Sequence, residues 1–235
     1  METELLPTNN DINNQRALAI EVRRRLEAVY HATGPSRGHG CTSIPAVDEL
    51  VLTFLSQATT DINSWRGYQA LRTAFPSWEA VADAPVEKIE ELIRPCGLSR
   101  QKAPRILAAL HRIRAEQGAI SLDFLCDIPR VDALAYLLSI RGVGRKTASC
   151  VLLFSLGIPA LSVDTHVWRI CKRLGLISAK TTADAAHAIL EGIVPEADYL
   201  PFHVNVIAHG KAICTARTPK CSACVLAEIC PSAVL

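Results

Sequence analysis

"LLSIRGVGRKTASCVL", residues 137–152, decides how this chain is read. An apolar segment of helical character runs into two glycines, and a second such segment leaves them at once. Gly142 and Gly144 tolerate positive φ and leave their backbone N–H groups unobstructed, so one helix can reverse tightly into another. Amides at such a turn, with the partial positive charge of the next helix's N-terminus, suit one phosphate group. A plain helix connection capped by glycine would use the same residues. It leaves the exit "GRKTA" unexplained, where Arg145 and Lys146 follow the turn directly.

A lone lysine is ordinarily a solvated surface residue. Lys146 gains weight from Asp164 in "LSVDTHVWRI", eighteen residues further on. Asp immediately before a helical run is a preferred N-cap. That role does not conflict with chemistry, because a capping carboxylate is also what a cationic intermediate beside it would need. A lysine that can give up its proton is a nucleophile toward electrophilic carbon.

Near the C-terminus, "CTARTPKCSACVLAEIC" places Cys214, Cys221, Cys224 and Cys230 in the spacing C-x6-C-x2-C-x5-C. Four clustered thiolates suit either a tetrahedral zinc ion or an iron–sulfur cluster, and thiolate chemistry alone does not choose between them. Zinc sites usually arrive as two C-x2-C knuckles, and the second knuckle is missing here. Arg217 and Lys220, in the loop between the first two cysteines, have no acid beside them and fit a solvated basic edge touching phosphate. The remaining cysteines, Cys41, Cys96, Cys126, Cys150 and Cys171, read as small packed hydrophobes.

Around these motifs the chain is ordinary. Its 235 residues are 49% hydrophobic and 20% charged, which excludes a disordered chain and leaves room for one large or two small domains. No apolar run reaches the roughly 18 residues that span a bilayer, and the polar, acidic start does not resemble a signal peptide. The expectation is a soluble intracellular protein whose cysteines are not disulfides. Net charge is only +2, yet residues 141–180 hold seven Lys or Arg against the single acid Asp164, a basic stretch beside the glycine turn.

Helical periodicity dominates, and no segment alternates cleanly as a strand. Leu18, Val22, Leu26 and Val29 mark an apolar face over residues 15–31, and the first dozen residues, polar and terminal, are expected to lack structure. Asp48 is placed to cap "ELVLTFLSQ", and Gly118 to stop the long helix after "CGLSRQK". Gln57 in "SQATTD" and Leu98 in "CGLSRQK" lie on turns, where residues filling a stack after base extrusion would sit, although an ordinary capping polar group and an ordinary core leucine would use the same positions. His166 and His209 are titratable candidates whose safer reading is structural hydrogen bonding at helix ends.

"LLSIRGVGRKTA", then "VDTH", then the 6-2-5 cysteine spacing together resemble the endonuclease III family of helix-hairpin-helix DNA glycosylases, over about residues 18–230. The resemblance implies an all-α fold of two helical domains with a DNA-binding cleft. Residues 40–157 would form a six-helix barrel carrying the hairpin, and residues 1–39 with 158–235 the domain holding a [4Fe-4S] cluster on Cys214, Cys221, Cys224 and Cys230. It implies Lys146 as the nucleophile at C1′ of a flipped nucleotide, Asp164 as its assisting carboxylate, and strand cleavage by β-elimination. Gly142, Val143, Gly144, Arg145 and Thr147 would contact DNA, as would Gln57, Leu98, Arg217 and Lys220. The expected partner is double-stranded DNA with damaged bases or abasic sites, which a monomer would bind. A monofunctional glycosylase for mismatched or alkylated bases, or a non-catalytic DNA-binding module, are the alternatives.

Overall fold

The computed structural model describes residues 9–31 and 44–234. Among them every regular element is helical. The chain divides into two compact units, Ser43–Ile158 and Met1–Thr42 with Pro159–Leu235. Cys41 and the first eight residues lie outside the described part.

The Ser43–Ile158 unit contains α2 (Ala46–Ser56), α3 (Asp61–Ala74), α4 (Trp78–Ala82), α5 (Val86–Leu92), α6 (Ser99–Gln117), α7 (Arg130–Ser139) and α8 (Arg145–Cys150). Its described α-helices thus number seven where six were expected, the five-residue α4 being among them. Helix α2 is buried from Ala46 to Leu55, its apolar residues packed in the core and its Asp48, Glu49 and Thr53 buried with them. Thr60 and Ser77 cap α3 and α4 by accepting the amides of Asn63 and Ala80. Gly118, at φ +76°, ends α6 as its position predicted.

Asp48 is not the cap of α2. The helix begins earlier, at Ala46, with Pro45 as its N-cap in a non-helical backbone of φ −52° and ψ 149°. The Asp48 carboxylate instead turns inward, accepting from Tyr68 Oη at 2.6 Å and Trp78 Nε1 at 2.9 Å. Those two donors come from α3 and α4, so only the tertiary fold could recruit it. Helix α8 also departs from a plain α-helix, continuing as a π turn over Val151–Ser155.

The other unit contains α1 (Asn9–Tyr30), α9 (Thr165–Arg173), α10 (Ala183–Ile193) and α11 (Tyr199–Ala212), followed by an irregular segment with short 3-10 turns at Cys221–Ala223 and Ala227–Ile229. Helix α1 packs on α10 and α11. It begins inside the stretch expected to lack structure. Farther along it, Arg16 Nη2 donates to the Gly192 carbonyl and Arg23 pairs with Asp198 at 3.1 Å. Val22 and Leu26 are fully buried as predicted, whereas Val29 is 47% exposed because it falls off the packed face near the helix end.

The scattered cysteines divide by environment: Cys96, Cys150 and Cys171 are buried, but Cys126 is exposed and is not a packed hydrophobe. Cys96 fills a notch on α3 left by Gly67, where an added Cβ would collide with its sulfur. Its thiol also donates to the Asn63 carbonyl. Gly67→Ala is therefore expected to cost about 1–3 kcal/mol by overpacking. Thermal unfolding should show that loss, and Cys96→Ala in the same chain should recover part of it.

Candidate functional site

Helix α7 ends at Ser139 and α8 begins at Arg145, so the turn between them is short. Gly142 occupies φ +89°, a region that L side chains rarely adopt. A Cβ there would also crowd Phe54 Cε1 at 3.2 Å and Arg105 Cδ at 3.3 Å. Gly144 is the N-cap of α8 at φ −96°, and a Cβ on it would meet nothing within 4 Å. This second glycine therefore leaves the backbone open to a close approach.

The first rung of the α8 ladder runs from Ala148 N to Gly144 O at 3.0 Å. The amides of Arg145, Lys146 and Thr147 precede that rung, at the end of a helix that favours an anion. Val143 differs from its neighbours. Its side chain is buried and its amide donates to the Ile140 carbonyl, closing the turn, so it shapes the hairpin and does not offer an N–H of its own. Thr147 is likewise buried, and any contact it makes falls to its backbone. Arg145 and Lys146 are half-buried in the first turn.

In the other unit Asp164 caps α9. Its Oδ1 accepts from His166 N at 2.9 Å and Val167 N at 2.8 Å, as the sequence led us to expect. Both bonds use one oxygen, so the cap does not require Oδ2. Cys171 lies on the buried side of the same helix, where burial and then the Asp164 carboxylate push its thiol up, making it unreactive packing.

All four C-terminal cysteines line a single recess, together with Arg173, Ile213, Pro219 and Lys220 among others. Burial pushes the Cys224 and Cys230 thiols up, and the neighbouring cysteine sulfurs push in the same direction. Thiolates gathered this closely need a cationic partner, which iron supplies. Among the described residues no group of three or more His, Cys, Asp or Glu is arranged to hold a single ion. Four cysteines lining one recess are the donor set that an iron–sulfur cluster would take.

Two arginines of α9, which sequence reasoning missed, organise this loop. Arg169 Nη2 donates to the Cys214 carbonyl at 2.8 Å and the Gly210 carbonyl at 3.2 Å. Arg173 Nη1 donates to Cys214 Sγ at 3.1 Å and to the Thr215 carbonyl at 2.8 Å, while its Nη2 donates to Ala216 O. Their spacing of four on a helix that starts at Asp164 was the available signal. His209, buried between Tyr30 Oη at 3.1 Å and Cys224 Sγ at 3.3 Å, and His166, against Arg169 Nη2, both have the structural role that was the safer reading. Arg217 and Lys220 are exposed on the loop between Cys214 and Cys221. Gln57 is half-buried at the C-cap of α2, and Leu98 is 51% exposed at the N-cap of α6.

Residues 51–196 match the HhH-GPD superfamily of base excision DNA repair proteins, and residues 214–230 match the iron–sulfur binding domain of endonuclease III. The second match begins on Cys214 and ends on Cys230. Endonuclease III of Synechocystis is 38% identical over 188 residues, covering 80% of this chain and 81% of its own. Endonuclease III of Thermotoga maritima is 34% identical over 213 residues, covering 91% and 90%. A trapped endonuclease III–DNA covalent intermediate superposes with a TM-score of 0.79 at 25% identity, over 93% of this chain and 96% of that one. The chain belongs to the endonuclease III family. It is a DNA glycosylase and AP lyase of base excision repair, its partner is DNA, and it carries a [4Fe-4S] cluster. No helix among the described residues is long and apolar enough to cross a membrane.

The contrast between the two hairpin glycines is testable. Gly142→Ala should destabilise the protein by about 1–2 kcal/mol through its left-handed backbone and weaken duplex binding. Gly144→Ala should cost less than about 1 kcal/mol; calorimetry with a binding titration compares them. Arg173→Lys, which cannot form the same forked contacts, should release iron about 10-fold faster in the presence of a chelator, read as decay of the cluster's visible absorbance.

Proposed function

We propose that the protein is a bifunctional glycosylase acting on oxidised pyrimidines in duplex DNA, with Lys146 as nucleophile. Lys146 Nζ attacks C1′ of the extruded nucleotide, the bond from C1′ to the base breaks, and the base leaves carrying a proton. Opening of the sugar gives a protonated Schiff base. Loss of a C2′ proton and departure of the 3′ phosphate oxygen then cut the strand. By the family resemblance Asp164 assists deprotonation of the lysine and stabilises the positive charge developing on the sugar.

The observation that carries this reading is the place of Lys146: half-buried in the first turn of α8, directly after a hairpin whose glycine backbone can lie against a phosphate. The reading gives Gly142, Gly144, Arg145 and the Thr147 amide the task of holding that phosphate. Gln57 and Leu98 enter the duplex as the base leaves it, and a damaged pair costs least to open. Cys214, Cys221, Cys224 and Cys230 are the cluster ligands. The cluster supplies a rigid tie for the loop that carries Arg217 and Lys220 toward the backbone phosphates. In this reading Ser43–Ile158 is the helix-hairpin-helix domain, the other unit is the iron–sulfur domain, and the protein acts as a monomer.

Borohydride trapping on a duplex with one abasic site tests the assignment. The wild type should form a covalent adduct, and Lys146→Ala should lose it while still binding DNA, with a salt slope lowered by about 1 at most. An adduct that persists in Lys146→Ala moves the nucleophile elsewhere. No adduct with the wild type, despite binding, leaves a monofunctional glycosylase. Excision from duplexes carrying an oxidised pyrimidine or a mismatched adenine tests the substrate class, and sedimentation tests the monomer.

A further inference from the structure

Lys102 is the largest departure from the rule that lysines stay in water. It is 1% exposed on the first turn of α6, and burial pushes its pKa down. Among the described residues it forms no ion pair with a carboxylate. Its Nζ instead donates to two backbone carbonyls, Leu55 at 2.8 Å and Cys96 at 2.7 Å.

Those two acceptors share a context. Leu55 lies in the last turn of α2, whose final carbonyls have no helical partner and whose dipole favours a cation. Cys96 ends the 3-10 turn Arg94–Cys96 just before α6. Each carbonyl stands two residues ahead of a side chain already singled out, Gln57 and Leu98.

The backbone beyond each carbonyl is strained. Ala58 has φ +51° and Leu98 φ +50°, two of the three non-glycine residues at positive φ among those described. Such conformations cost on the order of 1–3 kcal/mol each and persist only where the surroundings impose them. The second loop is gripped from several sides. The backbone amides of Gln101 and Lys102 both donate to the Leu98 carbonyl at 2.9 Å, Lys102 Nζ holds Cys96 O, and the Cys96 side chain is seated against Gly67. One ammonium therefore ties together two turns that are some 40 residues apart in the chain, with Leu55 and Lys102 separated by 47.

We propose that Lys102 is a positioning residue that locks the turns carrying Gln57 and Leu98 into a single rigid pair, so that both loops enter the duplex together when a nucleotide is extruded. This rests on the reading of those turns as duplex-entering loops. Lys102 touches neither sugar nor base. Its effect falls on base extrusion and not on chemistry at C1′.

The test separates those steps. Extrusion is followed by the fluorescence of 2-aminopurine beside the lesion, and chemistry by borohydride trapping on single-stranded DNA with an abasic site, where there is no pair to open. Lys102→Met keeps the chain length and removes the donors. It should slow extrusion at least 10-fold while trapping stays within 2-fold of wild type. Lys102→Gln, which keeps two N–H donors, should recover part of the extrusion rate. Equal loss of both signals would reduce Lys102 to fold stability and overturn the proposal, and so would no loss of either. Hydrogen exchange on the wild-type protein covers the case in which Lys102→Met does not fold: the turns at residues 56–59 and 96–99 should open with one common free energy, and independent opening overturns the pairing. Failure of the underlying reading appears separately, as wild-type extrusion rates in Gln57→Ala and Leu98→Ala, or as a wild-type protein that traps no abasic site.

Discussion

A protein whose described elements are all helices gathers its backbone groups without partners at helix ends, and each end must find a donor or acceptor. That constraint organises most of what matters in this molecule. Helix α8 starts on an open glycine with no side-chain cap, at an end whose partial positive charge favours an anion. Helix α9 starts on a carboxylate that serves two amides with one oxygen. Helix α2 ends with a carbonyl taken by a buried ammonium. The chemistry proposed for the protein uses helix ends because fixed partial charges are found there without any side-chain reorganisation.

Helix α9 shows how one element serves two purposes. Its N-terminus presents Asp164, while Arg169 and Arg173, one turn apart, reach the segment that begins at Cys214. Val167, Ile170 and Cys171 are buried and fix the rotation of the helix about its axis. Gly210 on α11 makes the close approach possible, since a Cβ there would stand 2.6 Å from His166 Nδ1. The donors around Cys214 are rigid because guanidinium groups bond several carbonyls at once, and such outer contacts set how firmly metal ligands are held. The cysteine loop therefore does not depend on the cluster alone for its shape.

The turns at Ala58 and Leu98 use a different economy. Neither residue is glycine, so left-handed backbone there is held against its preference. Leu98 exposes half of its surface, which a protein interior would normally cover. An exposed apolar side chain on a strained and tightly bonded turn is suited to entering a base stack.

The amino-acid sequence alone determined the all-helical class, the glycine hairpin, the Asp164 cap, the stop at Gly118 and the family, because each depends on neighbouring residues and their spacing. Periodicity, caps and glycine positions are local, and the cysteine spacing is a pattern within seventeen residues. Only the tertiary structure decided where long side chains end. Asp48 looked like a cap and became an acceptor for Tyr68 and Trp78; Val143 looked like part of a phosphate grip and became core. Lys102, unremarked in "SRQKAP", became a buried tie across 47 residues, and Arg169 and Arg173 became supports for Cys214. The physical reason is the same throughout: a hydrogen bond between distant segments is chosen by which groups the packed core leaves without partners, and no local pattern records that.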